Sequence, residues 1–163
     1  MFALTVPIAT VDIPETEIAE NEVVTNGALA IAVIDDERDA LDAISLLLKT
    51  LGHRVYAGRS ATEACRAHAE ASLGEALPID IVITDYRLEA GANGLEAIDQ
   101  MRRYADRCLP AIILTGDTSP ARLKQVSESG HSLLHKPVDA EQVQKAIFEL
   151  LAVQSRDGPS NCK

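Results

Sequence analysis

Apolar residues in this chain gather into short runs, and several of those runs lead straight into a polar residue. The runs are ALAIAVI before the pair Asp35-Asp36, IDIVIT before Asp85, AIIL before Thr115 and SLLH before Lys136. Runs this short, rich in Ile, Val and Leu, read as strands buried on both faces of a parallel sheet. Between them the pattern changes to a helical period. Leu41, Ile44, Leu48 and Leu51 form one stripe of a helix over 38–51, stopped by Gly52. A short strand is predicted at 54–57. Ser60 and Glu63 form a capping box for a second helix that reaches Leu73 and ends at Gly74. After the strand at 79–85, a third helix begins near Asn93-Gly94, turns Leu95, Ile98 and Met101 inward, and ends before Pro110. Ser119-Pro120 opens a short fourth helix with Leu123 and Val126 as its anchors. Asp139, with Gln142 three residues later, opens a fifth, carrying Val143, Ala146, Ile147 and Leu150.

Strict alternation of strand and helix predicts an α/β, doubly wound sheet of five parallel strands with five helices on its two faces. In such a sheet the functional crevice lies beyond the carboxyl ends of the strands. Asp35, Asp36, Asp85, Thr115 and Lys136 should therefore gather at one edge. Three carboxylates, a hydroxyl and an ammonium meeting there point to Mg²⁺ and phosphoryl chemistry. No strand leads into a GxGxxG or Walker-type loop, so nucleotide binding has no local support.

Composition narrows the picture. With 163 residues the chain holds one domain of ordinary size plus tails. Residues 10–27 are acidic, carry Pro14 and end in Asn26-Gly27, which reads as a linker. The domain is placed at 28–153, with 1–27 as an N-terminal extension and 154–163 as a flexible tail. A net charge of −10 argues against a nucleic-acid surface. No apolar run approaches a membrane span. Cys65, Cys108 and Cys162 are scattered without CxxC spacing and read as reduced thiols of a cytoplasmic protein. The four histidines lack metal-ligand spacing, and His135 is expected to face a helix.

Taken together, VIDDE, VITDYRL, ILTGD and LLHKPV, in this order and at these separations, resemble the receiver domain of two-component response regulators. The resemblance covers 28–152 and implies the flavodoxin-like, CheY-like fold with strand order 2-1-3-4-5. It implies that Asp85 accepts a phosphoryl group from a phosphohistidine on a kinase or phosphotransfer protein. Asp36, Asp85 and the backbone carbonyl of Arg87 would hold Mg²⁺, with Asp35 acting through water. Lys136, before a Pro137 bond that is typically cis in this family, would pair with Asp85 and then with the phosphoryl group. Thr115 would be the switch hydroxyl. Two departures stand out. Leu133 replaces the usual aromatic three residues before the lysine, which puts the threonine–aromatic relay in doubt. The loop after Asp85, YRLEAGANG, is longer by one residue than average and has Glu89 where proline is common. By the same resemblance, Arg87 and Asp117 flank the path of water to the phosphoryl group.

MFALTVP resembles the closing strand of a histidine-kinase ATPase domain as it precedes receivers in hybrid kinases, which assigns 1–9 to that strand. GDTSPARL…SGHSLLHKPV likewise resembles receivers of hybrid sensor kinases. ATP-binding boxes are missing, so the segment is not expected to act as a stand-alone enzyme. The alternative is a receiver fold used only for docking, which the intact acidic set opposes. A phosphatase or mutase forming an aspartyl-phosphate would carry a second Asp two residues after the nucleophile, where this chain has Arg87.

Overall fold

The computed structural model describes residues 27–75, 77–116 and 130–157. Residues 1–26 of the N-terminal extension, Asp117, the helix predicted from Ser119, Cys162 and the last residues of the tail lie outside them.

Five parallel strands form one sheet: β1 (Ala30–Ile34), β2 (Arg54–Gly58), β3 (Ile81–Asp85), β4 (Ala111–Thr115) and β5 (Ser132–His135), in the order β2-β1-β3-β4-β5. Among the described residues the helices are α1 (Arg38–Thr50), α2 (Ala61–Glu75), α3 (Gly94–Ala105) and α4 (Ala140–Asp157). Every residue of β1 is buried, because helices cover both faces of the sheet. Alternate side chains therefore enter different cores. Ala30, Ala32 and Ile34 pack with Ala61 and Ala64 of α2 and with Ile98 and Met101 of α3. Ile31 and Val33 pack with Leu41, Ile44 and Leu48 of α1 and with Val143, Ala146 and Ile147 of α4. This two-sided burial is why the apolar runs are continuous rather than alternating.

Several boundaries differ from the sequence reading. Helix α2 runs through Gly74 to Glu75. One interior glycine costs about 1 kcal/mol against alanine, which a packed helix absorbs. Strand β3 starts at Ile81 rather than residue 79, and just before it the Asp80 N–H donates to the Ala30 carbonyl at 2.7 Å while its carboxylate accepts the Ala30 N–H at 2.9 Å. Helix α4 continues past Gln154 to Asp157. Cys65 is a free thiol as expected, whereas Cys108 is disulfide-bonded and departs from the reduced-thiol reading.

Register puts the strand ends level with one another. Ile34 lies beside Thr84, Asp85 beside Leu114, and Thr115 beside His135. Residues that follow or close β1, β3, β4 and β5 thus reach the same edge of the sheet.

Candidate functional site

Asp35 and Asp36 leave β1 at the carboxyl edge, where the Asp35 N–H reaches the Gly58 carbonyl at 3.3 Å. Asp85 closes β3. One carboxylate oxygen from each of Asp35, Asp36 and Asp85 lies within 4.8 Å of the others. Asp35 is almost wholly enclosed, with its side chain 1% exposed, and both of its oxygens are engaged. Oδ1 accepts the Glu37 N–H at 3.0 Å, and Oδ2 accepts a bond from Lys136 Nζ at 2.6 Å. The same ammonium stands 3.3 Å from Asp85 Oδ2. Lys136 therefore bridges two carboxylates, and the shorter contact is to Asp35, not to the acceptor candidate.

Electrostatics follow from that geometry. Burial pushes the Asp85 carboxyl above the usual carboxylate range, Lys136 opposes the rise and the Asp35 charge adds to it. Burial acts to lower the Lys136 ammonium, but the Asp35 hydrogen bond and the two carboxylate charges outweigh it and leave it raised. Three acids share one ammonium, so the cluster keeps an excess of negative charge. Hard oxygen donors in this number suit a small divalent cation such as Mg²⁺.

Thr115 closes β4 and is buried, 5% exposed. Its carbonyl accepts the Lys136 N–H at 2.9 Å, which ties the two residues through the main chain. The Lys136-Pro137 bond is cis, as expected. Arg87 is exposed and pairs with Asn93 in a short antiparallel bridge. Between them Glu89–Gly91 make a 3-10 turn, with Gly91 at φ +79°. That turn accommodates the longer loop after Asp85. Asn93 then caps α3, accepting the Glu96 N–H at 3.0 Å, where the sequence placed the helix start.

The sequence reading brought Asp35, Asp36, Asp85, Thr115 and Lys136 to one edge, and the structure places them there. His135, expected to face a helix, closes β5 exposed and lines a cleft with Gln142, Lys145, Ala146 and Glu149 of α4. Other residues at the edge were not anticipated. Arg59 Nε donates to the Asp36 carbonyl at 3.1 Å, and its Nη2 meets Glu89 Oε2 at 3.2 Å. Gly94 packs so close to the Asp85 main chain that a Cβ there would lie 2.5 Å from the Asp85 carbonyl oxygen. A GR dipeptide before the Ser60–Glu63 cap was the only local signal for Arg59, and its partners are distant in sequence.

Comparison with known proteins bears on this arrangement. A receiver domain from Clostridium thermocellum is 29% identical, with a TM-score of 0.62 over 78% of this chain and 97% of that one. The receiver domain of a modulated diguanylate cyclase from Desulfovibrio desulfuricans is 20% identical, with a TM-score of 0.65 over 81% of this chain and all, 100%, of the other. The solution structure of the PhyR response regulator REC domain from Erythrobacter litoralis is 24% identical, with a TM-score of 0.60 over 83% and 98%. No curated protein matches the chain. A family model for the response regulator receiver domain matches residues 31–148, which take in all of the sheet but Ala30 and every acid of the cluster, and the chain belongs to that family.

Proposed function

We propose that this domain takes a phosphoryl group from a phosphohistidine onto Asp85, in a Mg²⁺-dependent reaction, and signals by conformational change or onward transfer. The observation that carries the reading is the Lys136 ammonium set between Asp35 and Asp85, at the edge of a three-carboxylate cluster. Phosphoryl transfer through a loose transition state needs little from the protein beyond position and charge neutralisation. A bond forms between an Asp85 oxygen and phosphorus as the donor's N–P bond breaks, and the imidazole leaves. Lys136 holds the Asp85 carboxylate beforehand and can follow the charge to a phosphoryl oxygen. Asp35, held by Lys136 and the Glu37 N–H, keeps that ammonium in place. Thr115 stands at the neighbouring strand end with a hydroxyl to offer the product. Asp36, Asp85 and the Arg87 carbonyl would hold Mg²⁺, with Asp35 acting through water. When bound, the cation neutralises the acidic cluster and the charge on the phosphoryl oxygens.

The partner is a kinase or phosphotransfer protein bearing phosphohistidine, in the cytoplasm. The likeness of MFALTVP to a kinase strand supports a receiver joined to a hybrid histidine kinase. Among the described residues no helix is long and apolar enough to cross a membrane.

Asp85→Asn tests the assignment. The amide is nearly isosteric and is not a nucleophile. Incubation with acetyl phosphate or a phosphorylated kinase should label the parent and leave the variant unlabelled in a phosphate-affinity gel. Full labelling of Asp85→Asn would remove Asp85 from the role.

A further inference from the structure

The loop that follows Asp85 and the turn that follows β1 come from distant parts of the chain, yet one side chain joins them. Arg59 leaves the end of β2 with its main chain fixed, because Glu63 Oε2 accepts the Arg59 N–H at 2.8 Å while Ser60 Oγ accepts the Glu63 N–H at 3.3 Å. The capping carboxylate thus holds the residue before the cap as well as closing α2. From that anchor the guanidinium forks. Nε donates to the Asp36 carbonyl at 3.1 Å and Nη2 reaches Glu89 at 3.2 Å. Glu89 begins the 3-10 turn of the loop that is closed by the Arg87–Asn93 bridge. It also stands where proline would be expected to stiffen such a loop.

We propose that Arg59 is a positioning residue for the acidic pocket, fixing Asp36 relative to the Arg87–Asn93 loop through Glu89. The inference rests on the Mg²⁺-dependent reading of the site. Guanidinium geometry is needed, since a planar fork can serve a carbonyl and a carboxylate at once and an ammonium has no such fixed spread. The ion pair is exposed, 50% for Arg59 and 71% for Glu89, so its effect on overall stability is small. Its effect on the pocket is one of geometry, and the sign of that effect separates it from simple charge. A cation beside the pocket repels Mg²⁺. If Arg59 acted only by charge, removing it would tighten Mg²⁺ binding. If it positions Asp36 and the loop, removing it weakens binding.

The test is Mg²⁺ titration by calorimetry on the full chain, with circular dichroism to check folding, for the parent, Arg59→Ala, Arg59→Lys, Glu89→Ala and the Arg59/Glu89 double variant. Two half-exposed hydrogen bonds predict a Kd for Mg²⁺ about fivefold weaker in Arg59→Ala. Arg59→Lys should fall with it, and the double variant should be no worse than Arg59→Ala. Parent-like or tighter binding in Arg59→Ala, parent-like binding in Arg59→Lys, or additive losses in the double variant overturns the positioning role. A parent that binds no Mg²⁺ overturns instead the metal-dependent reading on which the role depends.

Discussion

His131 stands just before β5, half-buried, with Arg102 and Asp99 of α3 near it. Burial lowers its pKa below the ordinary 6.5, Arg102 lowers it further, and Asp99 opposes them. The folded chain therefore holds this proton less tightly than the unfolded chain. Its contribution to stability is present above the ordinary histidine range and is lost as pH falls through that range toward the lowered value. Denaturant midpoints measured between about pH 7 and pH 5 should drop in the parent. His131→Gln should flatten that limb, and an unchanged slope would assign the acid sensitivity to other groups. Asp85 gives a second prediction at this scale. Three carboxylates crowd one ammonium, so neutralising one should relieve repulsion. Without divalent cations Asp85→Asn should melt higher than the parent at neutral pH. Mg²⁺ should raise the parent by about 1.4 kcal/mol at ten times its Kd and the variant by much less. A variant that melts lower in EDTA would contradict the repulsion.

Among the elements, one tight fit is where α3 meets the end of β3. Gly94, the first residue of α3, leaves no room for a methyl group, since Asp85 O and Thr84 Cγ2 would lie 2.5 Å and 3.1 Å from its Cβ. Gly94→Ala should cost about 1–3 kcal/mol, as overpacking does, and should slow labelling by acetyl phosphate because the displaced backbone carries the proposed acceptor, Asp85. Labelling at the parent's rate would show that the strand end has more slack than its packing implies. This glycine also marks the limit of sequence reading. The helix start near Asn93-Gly94 was legible in the sequence, whereas the close approach to Asp85 exists only once β3 and α3 are packed. The strands were legible because two-sided burial leaves unbroken apolar runs, and the site was legible because each functional residue adjoins such a run. Arg59 follows the short β2 run and Glu89 lies in a loop, but their pairing joins segments distant in sequence, so periodicity could not place it. Leu133 is only partly buried against the core, so its truncation belongs at or below the low end of the ~2–5 kcal/mol range for core leucines.

Viewed as a whole, the molecule holds its first strand in the interior of the sheet. β1 is flanked by β2 and β3 and covered on both faces, and each of its residues is buried. Asp35 and Asp36 follow directly on its end, while the Arg87–Asn93 loop stands out on the surface. The pocket is thus assembled from one wall tied to the interior and another that is locally bonded. Local openings free surface loops at low cost, whereas central strands open only with the whole fold. Amide hydrogens of 31–34 should therefore exchange with deuterium at the global unfolding rate, and those of 87–92 far sooner. If Mg²⁺ binds the assembled pocket as proposed, saturating it should slow both groups. Slowing in 87–92 alone would mean that the cation orders the loop without stabilising the fold. The amides of β1 then act as an internal clock, reporting from inside the protein how strongly an event at its surface edge is felt at its centre.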